Sequence, residues 1–130
     1  MIAIDNSNIE SKIYAQIKHE ITISASSKSV FSEVLISAWA DFKSREFNSE
    51  KDFIVLITGS LPKNDINNTL PLLEWAKFSS NSEDFIKKSQ TQGFTSEAKL
   101  EKLEAFREQL TNANNGEAIS EEELWSFLKS

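Results

Sequence analysis

Phe53-Ile54-Val55-Leu56-Ile57-Thr58, closed by Gly59, decides the fold class. The run is too short for a buried helix and rich in β-branched residues. It lacks polar alternation, as expected of a strand covered on both faces. Such strands belong to parallel sheets, whose neighbours must be joined by a crossover. The sequence upstream supplies one. From Ser29 to Arg45 the residues Val30, Phe31, Val34, Leu35, Ala38, Trp39 and Phe42 recur at steps of three to four, drawing one apolar stripe along a helix. Further upstream, residues 12–23 alternate. Ile13, Ala15, Ile17, Ile21 and Ile23 fall on one side, and Tyr14, Gln16, Lys18, Glu20 and Thr22 on the other. That period of two marks a half-buried strand. The order predicts Ile13–Glu20 and Phe53–Thr58 parallel in one sheet, with Ser29–Arg45 as a right-handed crossover. A shorter strand, Ile2-Ala3-Ile4, precedes them across the turn-rich Asp5-Asn6-Ser7-Asn8, as in a hairpin, and would make the sheet mixed.

Beyond Gly59 the chain reads as helices. One runs from Leu70 to Phe78 with Pro71 in its first turn, where the missing N–H costs nothing. A short amphipathic piece covers Ser82 to Lys88. Leu100, Leu103, Phe106 and Leu110 draw a stripe on a helix from Ser96 to Thr111, ended by Asn112-Ala113-Asn114-Asn115-Gly116. Ser120 and Glu123 form a capping box and Ile119 staples onto Leu124, so a last helix starts at Ser120. Its Leu124, Trp125, Phe127 and Leu128 demand a packing partner that the few following residues do not supply. The fold class is therefore α/β, with a small mixed sheet followed by a helical C-terminal half. Residues 1–80 form the sheet-bearing part, and 81–130 a helical extension packed on it or continuing from it.

Length and composition bound the function. The 130 residues suit one hydrophobic core, and 39% hydrophobic with 26% charged residues is ordinary globular usage. The absence of cysteine excludes disulfides, thiolate nucleophiles and zinc–thiolate sites, and suits a reducing cytoplasm. The N-terminal residues lack a basic and apolar signal pattern, and no stretch approaches a membrane span. A net charge of −6 opposes non-specific duplex binding. The charge is uneven, however: residues 1–45 carry five basic and five acidic side chains, residues 95–130 four and eight. A polyanion site would lie in the first half, with the acidic second half facing solvent or a protein partner.

The missing motifs narrow the chemistry. GxxxxGK[ST], GxGxxG and GxSxG are all absent from a chain with three glycines. The lone histidine, His19, excludes multi-histidine metal sites, and its place beside Ile17 and Ile21 predicts a hydrogen-bonded structural role. Trp39 and Trp75 lie on helical stripes and predict core; Trp125 suits core or interface. Glu121-Glu122-Glu123 complements a helix dipole. What remains is Asp5, Gln16 and Lys18. Gln16 and Lys18 share one strand face about 7 Å apart, and a hairpin would bring Asp5 beside them. An acidic oxygen, an amide oxygen and an ammonium are what phosphodiester hydrolysis needs around a divalent cation. The same residues, with Tyr14 and Glu20, also describe the solvated face of any half-exposed strand.

The order of these elements resembles the core of PD-(D/E)xK nucleases: a strand ending in a metal-binding aspartate, a strand bearing (D/E)xK or QxK, an amphipathic helix, then an apolar strand. Tyr14-Ala15-Gln16-Ile17-Lys18-His19, the helix to Phe42, Asp52–Gly59 and Leu73-Glu74-Trp75-Ala76 look like the Mrr-related double-stranded-DNA nuclease domains. Those domains sit at the N-termini of larger bacterial antiphage-defence proteins. The resemblance covers residues 1–80 and implies an incomplete restriction-endonuclease-like core. It implies that Asp5 binds Mg²⁺, Gln16 lends a carbonyl oxygen, Lys18 orients or polarises the attacking water, and the Ile17 backbone carbonyl completes the coordination. Gln16 stands where the family usually has an acid. Glu10 replaces Asp5 if the hairpin register differs. The family's preceding helix and first strand would lie before Met1, so the chain is expected to be N-terminally truncated. Alone it is expected to cut poorly and to self-associate through an uncovered sheet. The resemblance implies double-stranded DNA as partner, with further domains of a defence protein or other copies of the chain. The alternative is a non-catalytic protein–protein interaction module.

Overall fold

The computed structural model describes residues 11–26, 28–91 and 95–130. The expected strand Ile2–Ile4, together with Asp5 and Glu10, lies outside them. The element order is β1 (Ile13–Glu20), α1 (Val30–Phe42), β2 (Phe53–Ser60), α2 (Lys63–Phe78), α3 (Ser82–Gln90), α4 (Glu97–Ala113) and α5 (Glu121–Lys129). The fold is α/β, as expected, with five helices among the described residues. There, β1 and β2 form a two-stranded parallel sheet, in a register that sets Ile13 beside Phe53, Gln16 beside Leu56, Ile17 beside Ile57 and Lys18 beside Thr58. The predicted strand–helix–strand order and parallel pairing are present. No helix of the described residues is long and apolar enough to cross a membrane.

The sidedness of the sheet differs from expectation. The helices pack on the face that carries Tyr14, Gln16 and Lys18 with Ile54, Leu56 and Thr58. The opposite face, expected to be buried, leaves Ile13, Ile17, Phe53 and Ile57 exposed at 44%, 75%, 43% and 49%. Among the described residues β2 is thus covered on one face, not both. The side chains of the inner face explain the choice. Ile54 and Leu56 join the core, Tyr14 packs its ring edge-on to Phe47 at 5.6 Å, and the Gln16 amide nitrogen donates to the Val34 carbonyl of α1 at 2.9 Å. Alternation also ends at Glu20. Ile21 and Ile23, expected on the same face as Ile13 and Ile17, are buried in an extended segment that leaves the strand for the helical layer.

That segment is held by side chains from two helices. Asp65 Oδ2 of α2 accepts the Ile23 N–H at 3.1 Å, and Lys102 Nζ of α4 donates to the Ile23 carbonyl at 2.7 Å. Gln109 donates to the carbonyls of Ser24 and Ser26. Backbone groups that no sheet partner satisfies are thereby paired, as burial requires.

Helix ends follow capping chemistry. Ser29, Asn81, Ser96 and Ser120 each accept an N–H from the first turn, and Ser120 with Glu123 completes the expected capping box. α1 stops at Phe42 and not Arg45: the Lys43 N–H makes the last i→i−4 bond, to the Trp39 carbonyl at 2.9 Å, and the Ser44 N–H then closes a tighter turn onto the Asp41 carbonyl at 3.1 Å. α4 runs past Thr111 to Ala113 before the left-handed Asn115 and Gly116 end it. The larger correction is α2. It starts at Lys63 after Pro62, so Pro71 lies in its interior, where it withholds an N–H from the carbonyl four residues back. Asp65 and Thr69, one turn apart, are buried, and Asp65 is bonded to Ile23 and to Lys102 of α4. That anchorage carries a first half with little apolar stripe of its own.

One core cluster runs from Ile21 to Leu128, so residues 81–130 pack on the sheet-bearing part. An aromatic chain, Tyr14–Phe47–Phe42–Trp39 with Phe127 against Phe42 and Trp39, ties β1, α1 and α5 together at centroid distances of 5.4–5.9 Å. Trp39 is core, as predicted, and Trp75 is half-buried against the core. α5 is not left uncovered: Leu124, Phe127 and Leu128 are buried, and the Trp125 indole nitrogen donates to the Ala76 carbonyl at 2.9 Å. Its partners are α2 and α3, which precede it in sequence. Leu100 departs from the expected α4 stripe and is exposed, whereas Lys102 and Gln109 are buried.

Between the sheet and the helices lies a cavity of about 230 Å³, lined by Gln16, Phe31, Val34, Leu56, Thr58 and Leu73 among others.

Candidate active site at the strand ends

Parallel α/β sheets present their ligands at the carboxyl ends of the strands, where the chain leaves for the crossover helix. Here that place is an open recess. It is lined by Lys18, His19 and Glu20 of β1, Gly59 and Ser60 of β2, and Val30 and Glu33 at the start of α1. Lys18 is half-buried, and Glu20 and Glu33 are exposed. An ammonium and two carboxylates thus share one solvent-filled space. His19, expected to be a hydrogen-bonded core residue, is instead exposed at the rim, because the face it shares with Ile17 is the uncovered one.

Gly59 shapes the floor. A Cβ at this position would lie 2.7 Å from the His19 carbonyl oxygen, so the two strands approach this closely only because residue 59 has no side chain. Neither that contact nor the role of Glu33 is visible in local sequence. Glu33 reads there as a first-turn acid of α1.

The residues proposed from sequence are divided between two spaces. Lys18 faces the recess. Gln16, two residues earlier on the same face, lines the interior cavity, with its amide nitrogen bonded to Val34. It anchors β1 to α1 and does not open onto the recess. Ile17 stands opposite Ile57 in the ladder with its side chain on the uncovered face. Asp5, the metal ligand implied by the resemblance, lies outside the described residues.

Among the described residues no three or more histidine, aspartate or glutamate side chains converge on a point that would hold a metal ion. Mg²⁺ is nevertheless commonly held by one or two carboxylates, with waters and substrate phosphates completing the octahedron. Glu20 and Glu33 line the same open recess, whereas Gln16 lines the interior cavity. At the opposite end of the sheet, Asp52 is buried. Its carboxylate accepts the Asn48 N–H at 2.8 Å and the Lys12 N–H at 2.9 Å, and these bonds hold its pKa below the usual aspartate value. It fixes the start of both strands and is remote from the recess.

No protein-family model, curated protein or solved structure matches the chain.

Proposed function

We propose that the chain carries the strand–helix–strand part of a metal-dependent DNA endonuclease of the PD-(D/E)xK type. Lys18 is its phosphate-facing residue. The observation that supports this reading is Lys18 in an open recess at the carboxyl ends of two parallel strands joined by an amphipathic helix. In the reading, the Lys18 ammonium sets positive charge beside a scissile phosphodiester. Glu20 and Glu33 would hold the cation, with Asp5 as the further ligand implied by the family resemblance. Bound Mg²⁺ would supply Lewis-acid stabilisation and a more acidic water. Gln16 is assigned a positioning role through Val34, in place of the coordination that QxK implies in the family. A reducing cytoplasm and a larger defence protein are the setting this reading proposes.

The test is Mg²⁺-dependent cleavage of duplex DNA by the protein in its natural full-length context, wild type against Lys18→Ala. Loss of a transition-state contact lowers the rate by about 10²–10³-fold, whereas loss of a lysine at the edge of a recess changes stability by under ~0.5 kcal/mol. Full activity in Lys18→Ala with unchanged melting overturns the assignment.

A second reading, a non-catalytic interaction module, is favoured by one observation, the uncovered face of Ile13, Ile17, Phe53 and Ile57. Contiguous apolar surface of this kind marks association sites more often than chance exposure does. A protein that binds no Mg²⁺ and leaves DNA intact, yet associates through this face, fits the second reading and not the first.

A further inference from the structure

The cavity between the sheet and the helices is separate from the recess and has a chemistry of its own. Its walls are mainly aliphatic and aromatic: Phe31, Val34 and Ala38 of α1, Leu56 of β2, and Leu73 of α2. Thr58 Oγ1, on the cavity wall, is buried without a hydrogen-bond partner. Along α2, Leu70, Leu73 and Lys77 recur at helical spacing and all line the space; Leu70 and Lys77 are exposed, so they mark its mouth. The cavity therefore combines an apolar body with a few polar residues in its wall, Gln16, Thr58, Thr69 and Ser130, and has Lys77 at its edge. Well-formed apolar cavities with few polar groups are the usual form of small-molecule sites.

We propose that this cavity binds a medium-chain aliphatic carboxylate, of about eight carbons, with its chain against Phe31, Val34 and Leu56 and its carboxylate at Lys77. The size follows from the void of about 230 Å³. Along Phe31, Val34 and Leu56 water is a poor occupant, because each molecule needs two to four polar partners and these side chains offer none. The headgroup follows from Lys77, the cation at the mouth. The proposal is independent of nuclease chemistry, since neither Lys18 nor the recess takes part.

The probe is octanoate, with octan-1-ol as the uncharged comparison and acetate as the chainless one. Thermal melts of the full chain are expected to rise saturably with octanoate, by about 5–10 °C at a hundredfold excess over Kd, and not to respond to acetate. Ala38→Leu fills the cavity from α1 and abolishes the octanoate response. Lys77→Ala weakens octanoate about tenfold and leaves octan-1-ol unchanged. Should Ala38→Leu fail to fold, nuclear Overhauser contacts between octanoate and the Val34 and Leu56 methyl groups of the wild type take its place. Absence of a saturable shift, a response that persists in Ala38→Leu, missing methyl contacts, or equal octanoate affinity in Lys77→Ala each overturns the proposal.

Discussion

Lys102 Nζ lies 2.7 Å from Asp65 Oδ1, and the two side chains grip the same residue, Ile23, one through its carbonyl and the other through its N–H. The pair is buried and joins α4 to α2 through a segment that belongs to neither. A buried ion pair is often replaceable by apolar residues at little cost, because the desolvation penalty offsets the attraction. This one is different, since each partner also satisfies a backbone group of Ile23.

Lys102→Ala should therefore destabilise the protein by about 3–5 kcal/mol, because it leaves the Asp65 carboxylate buried and unpaired. The decisive variant is the double one, Asp65→Leu with Lys102→Met. It removes both charges but orphans the Ile23 N–H and carbonyl, each a loss of about 1–3 kcal/mol. Urea unfolding should show no return to wild-type stability. A fully stable double variant would mean that the pair acts on charge alone and that Ile23 has other partners.

The carboxylate of Asp52 predicts a pH dependence. Its pKa is lowered chiefly by the Asn48 N–H and then by the Lys12 N–H, both donated to the charged form. A group with a depressed folded pKa adds stability that is complete above its unfolded value, about 3.9 for aspartate, and is lost as pH falls through the folded value. Asp84, held down chiefly by the Ser80 N–H, and Glu123, held down chiefly by Lys43, act in the same direction. The contribution of Asp52 is thus read as a difference. Asp52→Asn should narrow its deficit relative to wild type as acid is added below about pH 4, measured by melting temperature. A deficit that is constant across that range would exclude the ionised carboxylate as the cause.

The parallel strand–helix–strand unit was legible because periodicity survives without knowledge of partners: two for residues 13–20, three to four for residues 30–42. Which face of β1 turns inward was not. Alternation separates Ile13 and Ile17 from Tyr14 and Gln16, but the choice between them is made by α1, Phe47 and β2, which are distant in sequence. The start of α2 was hidden for the same reason. Lys63-Asn64-Asp65 and Asn67-Asn68 have no apolar stripe, and Asp65 enters the core through a backbone group 42 residues away. Of the candidate site, Lys18 was visible as a strand-face cation, while Glu33 and Gly59 gain meaning only once β1, β2 and α1 meet.

Gly59 offers a direct test of strand spacing. Gly59→Ala places a methyl group 2.7 Å from the His19 carbonyl oxygen, a distance backbone atoms must move to relieve. Overpacking of this kind costs about 1–3 kcal/mol. The melting temperature should fall, and amide exchange should quicken at Lys18, His19 and Ser60 before it quickens in α4. Wild-type stability in this variant would show that the strands part freely at their carboxyl ends.

Ile17 is the most exposed of the large apolar side chains on the sheet, and it stands beside Ile57, also half exposed, with Ile13 and Phe53 further along the same face. The largest apolar patch on a monomer is usually about 300–600 Å² and is often functional, and a standard interface takes about 800 Å² from each partner. Concentration-dependent association is the expected behaviour of the chain by itself. Ile17→Lys should suppress it, because a charge at the centre of the face must be desolvated in any complex. The same substitution should alter folding stability by no more than ~0.5 kcal/mol, since the side chain is three-quarters exposed before it is changed. Sedimentation velocity over a range of concentrations, paired with thermal melts, separates the two effects. A wild-type chain that remains monomeric throughout, or an Ile17→Lys variant that associates as strongly as wild type, would assign the uncovered face no part in association.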